Sequence, residues 1–354
     1  MGKSWDHGVP GAPVWAEVLR VLKPGAPLMA FGGTRTFHRL ACALEDAGFE
    51  IRDTLMWIYA SGFPKSHNIS KALDRSAGAD RQVVGASPYA NKGRTTDNRI
   101  YQKATPSERE VVTAPTDAAK TWSGFGTALK PAYEPIILGM KPCAGTFAQN
   151  ALTHGVAGIN VEAGRIGTTK NVPASASGVR GLYQNGHKQL DERSGMDPHT
   201  GRWPANVLFD EAAAAALDEA SGVTKSTGGN GQAFGKSFFG GGSARVKNGR
   251  NGLGLGDSGG ASRFFYVAKA SRRERGEGNT HPTVKPIKLS EYLARLLLPP
   301  ERDTPRVLLN PFSGSGSEAI GALRAGWDQV CSIEREKAYV KIAKTRFRAL
   351  AKAA

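Results

Sequence analysis

Apolar positions in the opening part of the chain fall into alternating helix and strand patterns. Val14, Trp15, Val18, Leu19 and Leu22 recur at helical spacing and predict a helix, stopped by Lys23-Pro24-Gly25. Pro27 to Phe31 is a short apolar run of buried-strand length, ending at Gly32-Gly33. Phe37, Leu40, Ala41 and Leu44 form a second helical stripe, which Gly48 closes. Ile51 to Tyr59 is rich in β-branched and aromatic residues and predicts a strand. Helices alternating with apolar strands imply an α/β sheet covered by helices.

The order then weakens. Residues 66–130 are polar and show little periodicity, before a further strand at Tyr133 to Leu138 and an Ala-rich helix at Asp210 to Ala220. Thirteen glycines fall between Gly228 and Gly260, a composition that cannot build a core and predicts a linker or a basic arm. The α/β pattern resumes with Leu289, Tyr292, Leu293 and Leu296 on one helix, stopped by Pro299-Pro300. Arg306 to Leu309 reads as a strand, Ser317 to Ala325 as a helix closed by Gly326, and Gln329 to Ile333 as a strand. A basic helix from Glu336 to about Leu350 follows.

Charge adds a partner class. The 354 residues carry 47 Lys+Arg against 31 Asp+Glu, a net +16, so phosphate backbones are the natural counterpart. Three separated cysteines, Cys42, Cys143 and Cys331, argue against a disulfide framework or a Cys-based zinc site. No apolar window reaches the ~18 residues of a membrane span, and the first residues lack a signal-peptide core. A cytoplasmic location, without a membrane or metal partner, is the expectation.

The sharpest motif is Asn310-Pro311-Phe312-Ser313-Gly314-Ser315-Gly316, between a strand and a helix, with a second strand ending at Ile333-Glu334. Gly314 and Gly316 let the backbone approach a ligand, and the helix beyond offers free N–H groups. An acid at the tip of the next strand is placed to accept from two ribose hydroxyls. This is a nucleoside-binding βαβ pattern. The spacing also fits the dinucleotide fingerprint, but only about twenty residues follow Glu334, too few for a second mononucleotide half. A P-loop is excluded because no Gly-Lys-Ser/Thr follows the turn.

Asn310-Pro-Phe-x-Gly-x-Gly resembles the motif that seats the methionine part of S-adenosylmethionine. Upstream of it, Asn279-Thr280-His281-Pro282-Thr283-Val284-Lys285-Pro286 and the helix after it resemble the circularly permuted DNA amino-methyltransferases. The resemblance implies a Rossmann-like α/β methyltransferase sheet with its cofactor half at the C-terminus. It also implies methylation of adenine N6 or cytosine N4 in double-stranded DNA by base flipping, with S-adenosyl-L-methionine as cofactor. Carried over by motif, His281, Pro282, Thr283, Lys285, Pro286, Asn310, Phe312, Gly314, Gly316 and Glu334 would line the cofactor site. Asn310 stands where the family commonly has Asp. Segments 20–25, 30–38, 56–65, 132–135, 201–206 and 263–266 are similar to the target half of phage and prophage members.

On this resemblance, 1–75 and 130–142 form the target half, and 261–354 the cofactor half. Residues 76–129 and 143–260, with the Gly-rich linker 228–260, are inserted recognition regions. Arg94, Arg99, Lys103, Arg245, Lys247 and Arg250 are candidate DNA contacts, while Trp57 and Tyr59 are assigned to core packing.

The family's Asp/Asn/Ser-Pro-Pro-aromatic tetrad accepts hydrogen bonds from the target amine and stacks on the flipped base. No proline here fits it: Pro299-Pro300 lies between Leu298 and Glu301, and Ser87-Pro88-Tyr89 has one proline. No catalytic residue is therefore identified, and the tetrad and its central strand are expected upstream of Met1. The implied readings are a truncated or internal start, a split enzyme completed by a second copy or complementing chain, or an inactive remnant that binds cofactor or DNA.

Overall fold

The computed structural model describes residues 8–62, 66–86, 110–172, 199–225, 257–268, 279–281 and 283–353. The elements run α1 (Ala12–Val21), β1 (Pro27–Phe31), α2 (Phe37–Asp46) and β2 (Glu50–Ile58), then α3 (Ile69–Ser76), β3 (Val83–Ala86), β4 (Glu110–Val112) and α4 (Asp117–Thr121). Next come β5 (Tyr133–Met140), α5 (Phe147–His154), β6 (Ile166–Val172), β7 (His199–Arg202), β8 (Val207–Asp210), α6 (Glu211–Ser221), β9 (Thr224–Lys225) and β10 (Ser258–Gly259). The chain ends with β11 (Tyr266–Ala268), α7 (Ile287–Leu297), β12 (Val307–Asn310), α8 (Ser317–Ala325), β13 (Gln329–Ser332) and α9 (Lys337–Ala353).

The main sheet has the order β1-β5-β2-β8-β11. Strand β5 is antiparallel to β1 and β2, whereas β8 is parallel to β2 and β11 to β8. The C-terminal ends of β1, β2, β8 and β11 therefore share one edge of the sheet with the start of β5. The stretch 143–260 thus contributes β8 to the central sheet.

Each sheet face buries its own layer. Leu55, Trp57, Ile136, Leu138, Leu208 and Ala268 pack against Leu289, Tyr292, Leu293 and Leu296 of α7. On the other face Ala30 and Ile137 meet Trp15 and Val18 of α1 and Leu40, Ala43 and Leu44 of α2. Ile136 and Ile137, adjacent in sequence, serve opposite layers because strand side chains alternate. Each fully buried Leu or Ile contributes about 1.5–3 kcal/mol, so these two clusters hold the sheet to its helices.

Strands β12 and β13 form a separate parallel pair. They belong to the same body: α7 packs on both β1 and α8, α8 packs on β12 and β13, and Leu309 of β12 joins the cluster that contains Ala30 of β1. Yet among the described residues no strand pairs with β12 on its second edge, nor with β1 on its second edge. Val307, Phe312 and Ile333 around the small pair are also about half exposed. Parallel strands are normally covered on both faces. Among the described residues, the five-stranded sheet and the β12–β13 pair are thus two separate sheets.

Candidate cofactor site

The turn after β12 is built by backbone conformation. Gly314 (φ 51°) and Gly316 (φ 83°) both occupy the left-handed region, and Gly316 caps the start of α8. A side chain at Gly314 is disfavoured on a second ground: its Cβ would lie 2.7 Å from His281 Nε2 and displace that ring. The turn is pinned to the segment after β13. Ser313 N–H donates to Ile333 O at 2.9 Å, and Ile333 N–H to Asn310 O at 2.9 Å.

Glu334 clasps the turn. Its Oε2 accepts from Gly314 N–H at 2.7 Å and its Oε1 from Glu336 N–H at 2.7 Å. One lone pair on each oxygen is thereby used for structure, and the others remain for a ligand hydroxyl. Glu334 lies two residues beyond β13, whose last residue is Ser332.

The 279–286 segment runs over this turn and onward to the main sheet. Asn279 Nδ2 donates to Ser315 Oγ at 3.1 Å, and the His281 ring packs edge-on to Tyr339 at 4.5 Å between centroids. Lys285 pairs with Glu134 of β5, and its ammonium lies 4.7 Å from the Phe31 ring centroid and 5.6 Å from that of Trp57. Buried cations persist only when paired in this way. Pro286 is the N-cap of α7, and Thr283 is exposed. Phe312 is half exposed, edge-on to Trp15 at 5.7 Å. Trp57 is core, with Tyr59 packed against the same cluster, as the sequence reading had them.

Several supports were not anticipated from the sequence. Arg346 of α9 sits beneath the turn and donates to Ser315 O at 2.7 Å, Ser315 Oγ at 3.1 Å and Ser317 Oγ at 3.0 Å. Tyr339, Ala343 and Arg346 are all buried and lie at helical spacing, so the stripe on α9 was the available signal. Burial pushes the Glu318 carboxyl above its usual range, while the nearby Lys285 and Arg346 act against that rise. Pro282, Arg94, Arg99, Lys103, Arg245, Lys247 and Arg250 lie outside the described residues.

The residues present suit S-adenosylmethionine. Asn310 is 9% exposed, and its Nδ2 donor is buried without a hydrogen-bond partner among the described residues, ready for a ligand acceptor. Two glycines leave bare backbone at the start of a helix, suited to a carboxylate. Glu334 supplies the acceptor that ribose hydroxyls require. No cluster of His, Cys, Asp and Glu suited to a metal occurs among the described residues.

Comparison with known proteins agrees with this chemistry. A family model of the N6/N4 methyltransferases, described as DNA methylase, matches residues 12–345. The type II methyltransferase M.HindIII of Haemophilus influenzae is 26% identical over 147 residues, 41% of this chain and 36% of that protein. That match thus spans about a third of the relative's length. Among solved structures, the M1.HpyAVI–SAM complex is 13% identical with TM-score 0.35, over 95% of this chain and 81% of that one. M1.HpyAVI without the ligand gives 11% and 0.36, over 95% and 79%. With a family match over nearly its whole length, the chain belongs to the DNA methylase family.

Proposed function

We propose that this chain forms the cofactor-binding and DNA-holding part of a methyltransferase that modifies an exocyclic amine, adenine N6 or cytosine N4, in double-stranded DNA. The observation that carries the reading is the clasped turn: bare glycines at 314 and 316, Glu334 beneath them, and a 279–286 segment that ends in the Lys285–Glu134 pair. S-adenosylmethionine, when bound, supplies an electrophilic methyl group on sulfonium. Asn310 and the backbone N–H groups at the start of α8 would hold its amino-acid end, and the free lone pairs of Glu334 its ribose. Lys285 ties this loop to the sheet edge at which a target base must arrive.

The target must leave the duplex to reach that edge, at a cost of a few kcal/mol. The net +16 charge supports the phosphate contacts that hold the distorted duplex. The amine needs an acceptor as its nitrogen pyramidalises, and no tetrad of the required type occurs in these 354 residues. We assign that role to a parallel strand lodged between the unpaired edges of β1 and β12, with the tetrad at its end. Polypeptide beyond these residues would contribute it, in the same chain or in a partner. The six candidate basic contacts and the domain division, with β8 of 143–260 paired into the central sheet, remain part of this proposal, as does a cytoplasmic, bacterial or phage-encoded protein. No helix among the described residues is long and apolar enough to cross a membrane.

The unpaired edges also favour a second reading, a remnant that binds cofactor or DNA and transfers nothing. Incubation with methyl-labelled S-adenosylmethionine and unmodified DNA separates the two. Label in DNA that survives protein removal supports the enzyme. Cofactor binding without transfer, even with a tetrad-bearing segment supplied, supports the remnant.

A further inference from the structure

Residues Lys120 to Lys130 are all exposed, and three of them are large and apolar: Trp122 (46% exposed), Phe125 (55%) and Leu129 (93%). The Trp122 and Phe125 rings pack edge-to-face with centroids 5.0 Å apart, forming a ridge instead of folding into the core. The ridge is built, not loose. Ile69 N–H donates to Phe125 O at 3.2 Å, and Thr127 and Ala128 N–H donate to Ser66 Oγ at 2.9 and 3.2 Å. A Cβ on Gly126 would lie 2.5 Å from that same hydroxyl oxygen. Lys130 Nζ donates to Ala60 O at 2.6 Å, just past the end of β2. The ridge leads into β5 at Tyr133, next to the Glu134 that holds Lys285, so it hangs from the sheet edge that receives the cofactor segment.

We propose that the Trp122–Phe125–Leu129 ridge is the surface that inserts into double-stranded DNA and fills the stack where the target base has left. This deepens, and rests on, the reading under Proposed function. A rigid aromatic pair offers the π-face that any neighbouring base accepts, whatever the sequence. Exposed Lys120 and Lys130 bracket the ridge in sequence, Lys120 being paired to Asp117 at 2.8 Å, and exposed Lys71 and Arg75 lie on α3, which packs on α4. Lysines around a small apolar stripe match phosphates on either side of a base step, whereas a second copy of this basic chain would bring like charge. Extrusion leaves a hole in the stack, and an apolar wedge is the chemistry that holds such a hole open.

The test uses two fluorescein-labelled duplexes of one sequence, one intact and one with a single abasic site that imitates the vacated stack. The wild-type chain is expected to favour the abasic duplex, and Trp122→Ala/Phe125→Ala to lose roughly tenfold or more of its affinity for it. The slope of log affinity against log salt should stay unchanged in that variant, because no phosphate contact is removed. Lys71→Ala/Arg75→Ala should do the reverse, lowering the slope and keeping the abasic preference. Trp122→Phe, which keeps a ring, serves if the double variant does not fold, and should retain most of the preference. Equal binding by wild type and double variant would overturn the ridge while leaving DNA binding intact. Failure of the wild type to bind either duplex would overturn the DNA reading with it. A wild-type dimer that the double variant dissolves, seen by sedimentation, would make the ridge a seat for a second copy and overturn the proposal.

Discussion

Gly314 carries two constraints at once, a left-handed φ of 51° and a His281 ring within 2.7 Å of where its Cβ would be. Gly314→Ala is expected to cost about 1–2 kcal/mol from the backbone alone and to displace His281 from the turn. Titration calorimetry should show at least about a tenfold loss of S-adenosylmethionine affinity, the equivalent of 1.4 kcal/mol. Unchanged affinity would remove the turn from the site. Lys285 and Glu134 are a second residue-scale dependency, with side chains 10% and 28% exposed. Glu134→Ala leaves the ammonium buried without its partner. A loss of about 2–3 kcal/mol in denaturant unfolding is expected, at the low end for a buried pair because Glu134 still touches water.

At the scale of elements, local periodicity and turn chemistry carried most of the reading. Ser317–Ala325 has the boundaries its sequence predicts, because a glycine stands at each end, and β1 ends at Phe31, where Gly32 follows. The small unit of α3, β3, β4 and α4 was not legible. It is held by polar groups: buried Asp74 accepts from Thr116 Oγ1 at 2.6 Å and pairs with Arg81 at 2.5 Å, which leaves no apolar rhythm to detect. Arg346 was hidden for a related reason, since its buried contacts lie on the turn before α8 and on the first residue of that helix, and its own helix reads as basic. Gly314, Glu334 and His281 were legible as motif; the Glu134 partner of Lys285 lies 151 residues away and was not.

Two elements give pH signatures. Tyr292 of α7 stacks on Tyr266 with ring centroids 3.7 Å apart and donates to Gly164 O at 3.0 Å. Burial, with Tyr266 adding to it, pushes its phenol up to about 12. A folded-state value raised above the ordinary ~10 means stability that is full below about pH 10 and is lost as pH rises toward 12. Tyr292→Phe should flatten that alkaline limb in unfolding measured between pH 9 and 12. The opposite sign holds where β12 and β13 begin. There the Arg306 guanidinium, 2.8 Å from Asp328, holds that carboxyl far below the usual range. Its stabilisation is present above about pH 4 and is lost as the medium becomes more acidic. Asp328→Asn should therefore reduce the fall in stability below pH 4, measured by acid titration of the circular dichroism signal.

At the scale of the whole molecule, the described residues form a five-stranded sheet and a separate β12–β13 pair, joined through α7, which packs on β1 and on α8. Helix α7 and the Lys285–Glu134 pair hold the Gly314–Gly316 turn, the proposed cofactor site, against the sheet edge proposed to receive the target base. Among the described residues β1 and β12 each have one unpaired edge, and each backbone hydrogen bond made there would add about 0.5–1.5 kcal/mol. A strand lodged between those edges would therefore stabilise the fold and complete its chemistry in one step. A synthetic peptide that spans the tetrad and its preceding strand should raise the unfolding midpoint of this chain, and a scrambled peptide should not.

Methyl transfer to an exocyclic amine is the claim on which the account stands. Mass spectrometry of nucleosides from digested DNA of cells expressing the protein in its native form tests it most directly. The account predicts N6-methyladenine or N4-methylcytosine above the level in cells without the gene. DNA with neither base raised, from cells whose purified protein still binds S-adenosylmethionine, would contradict it.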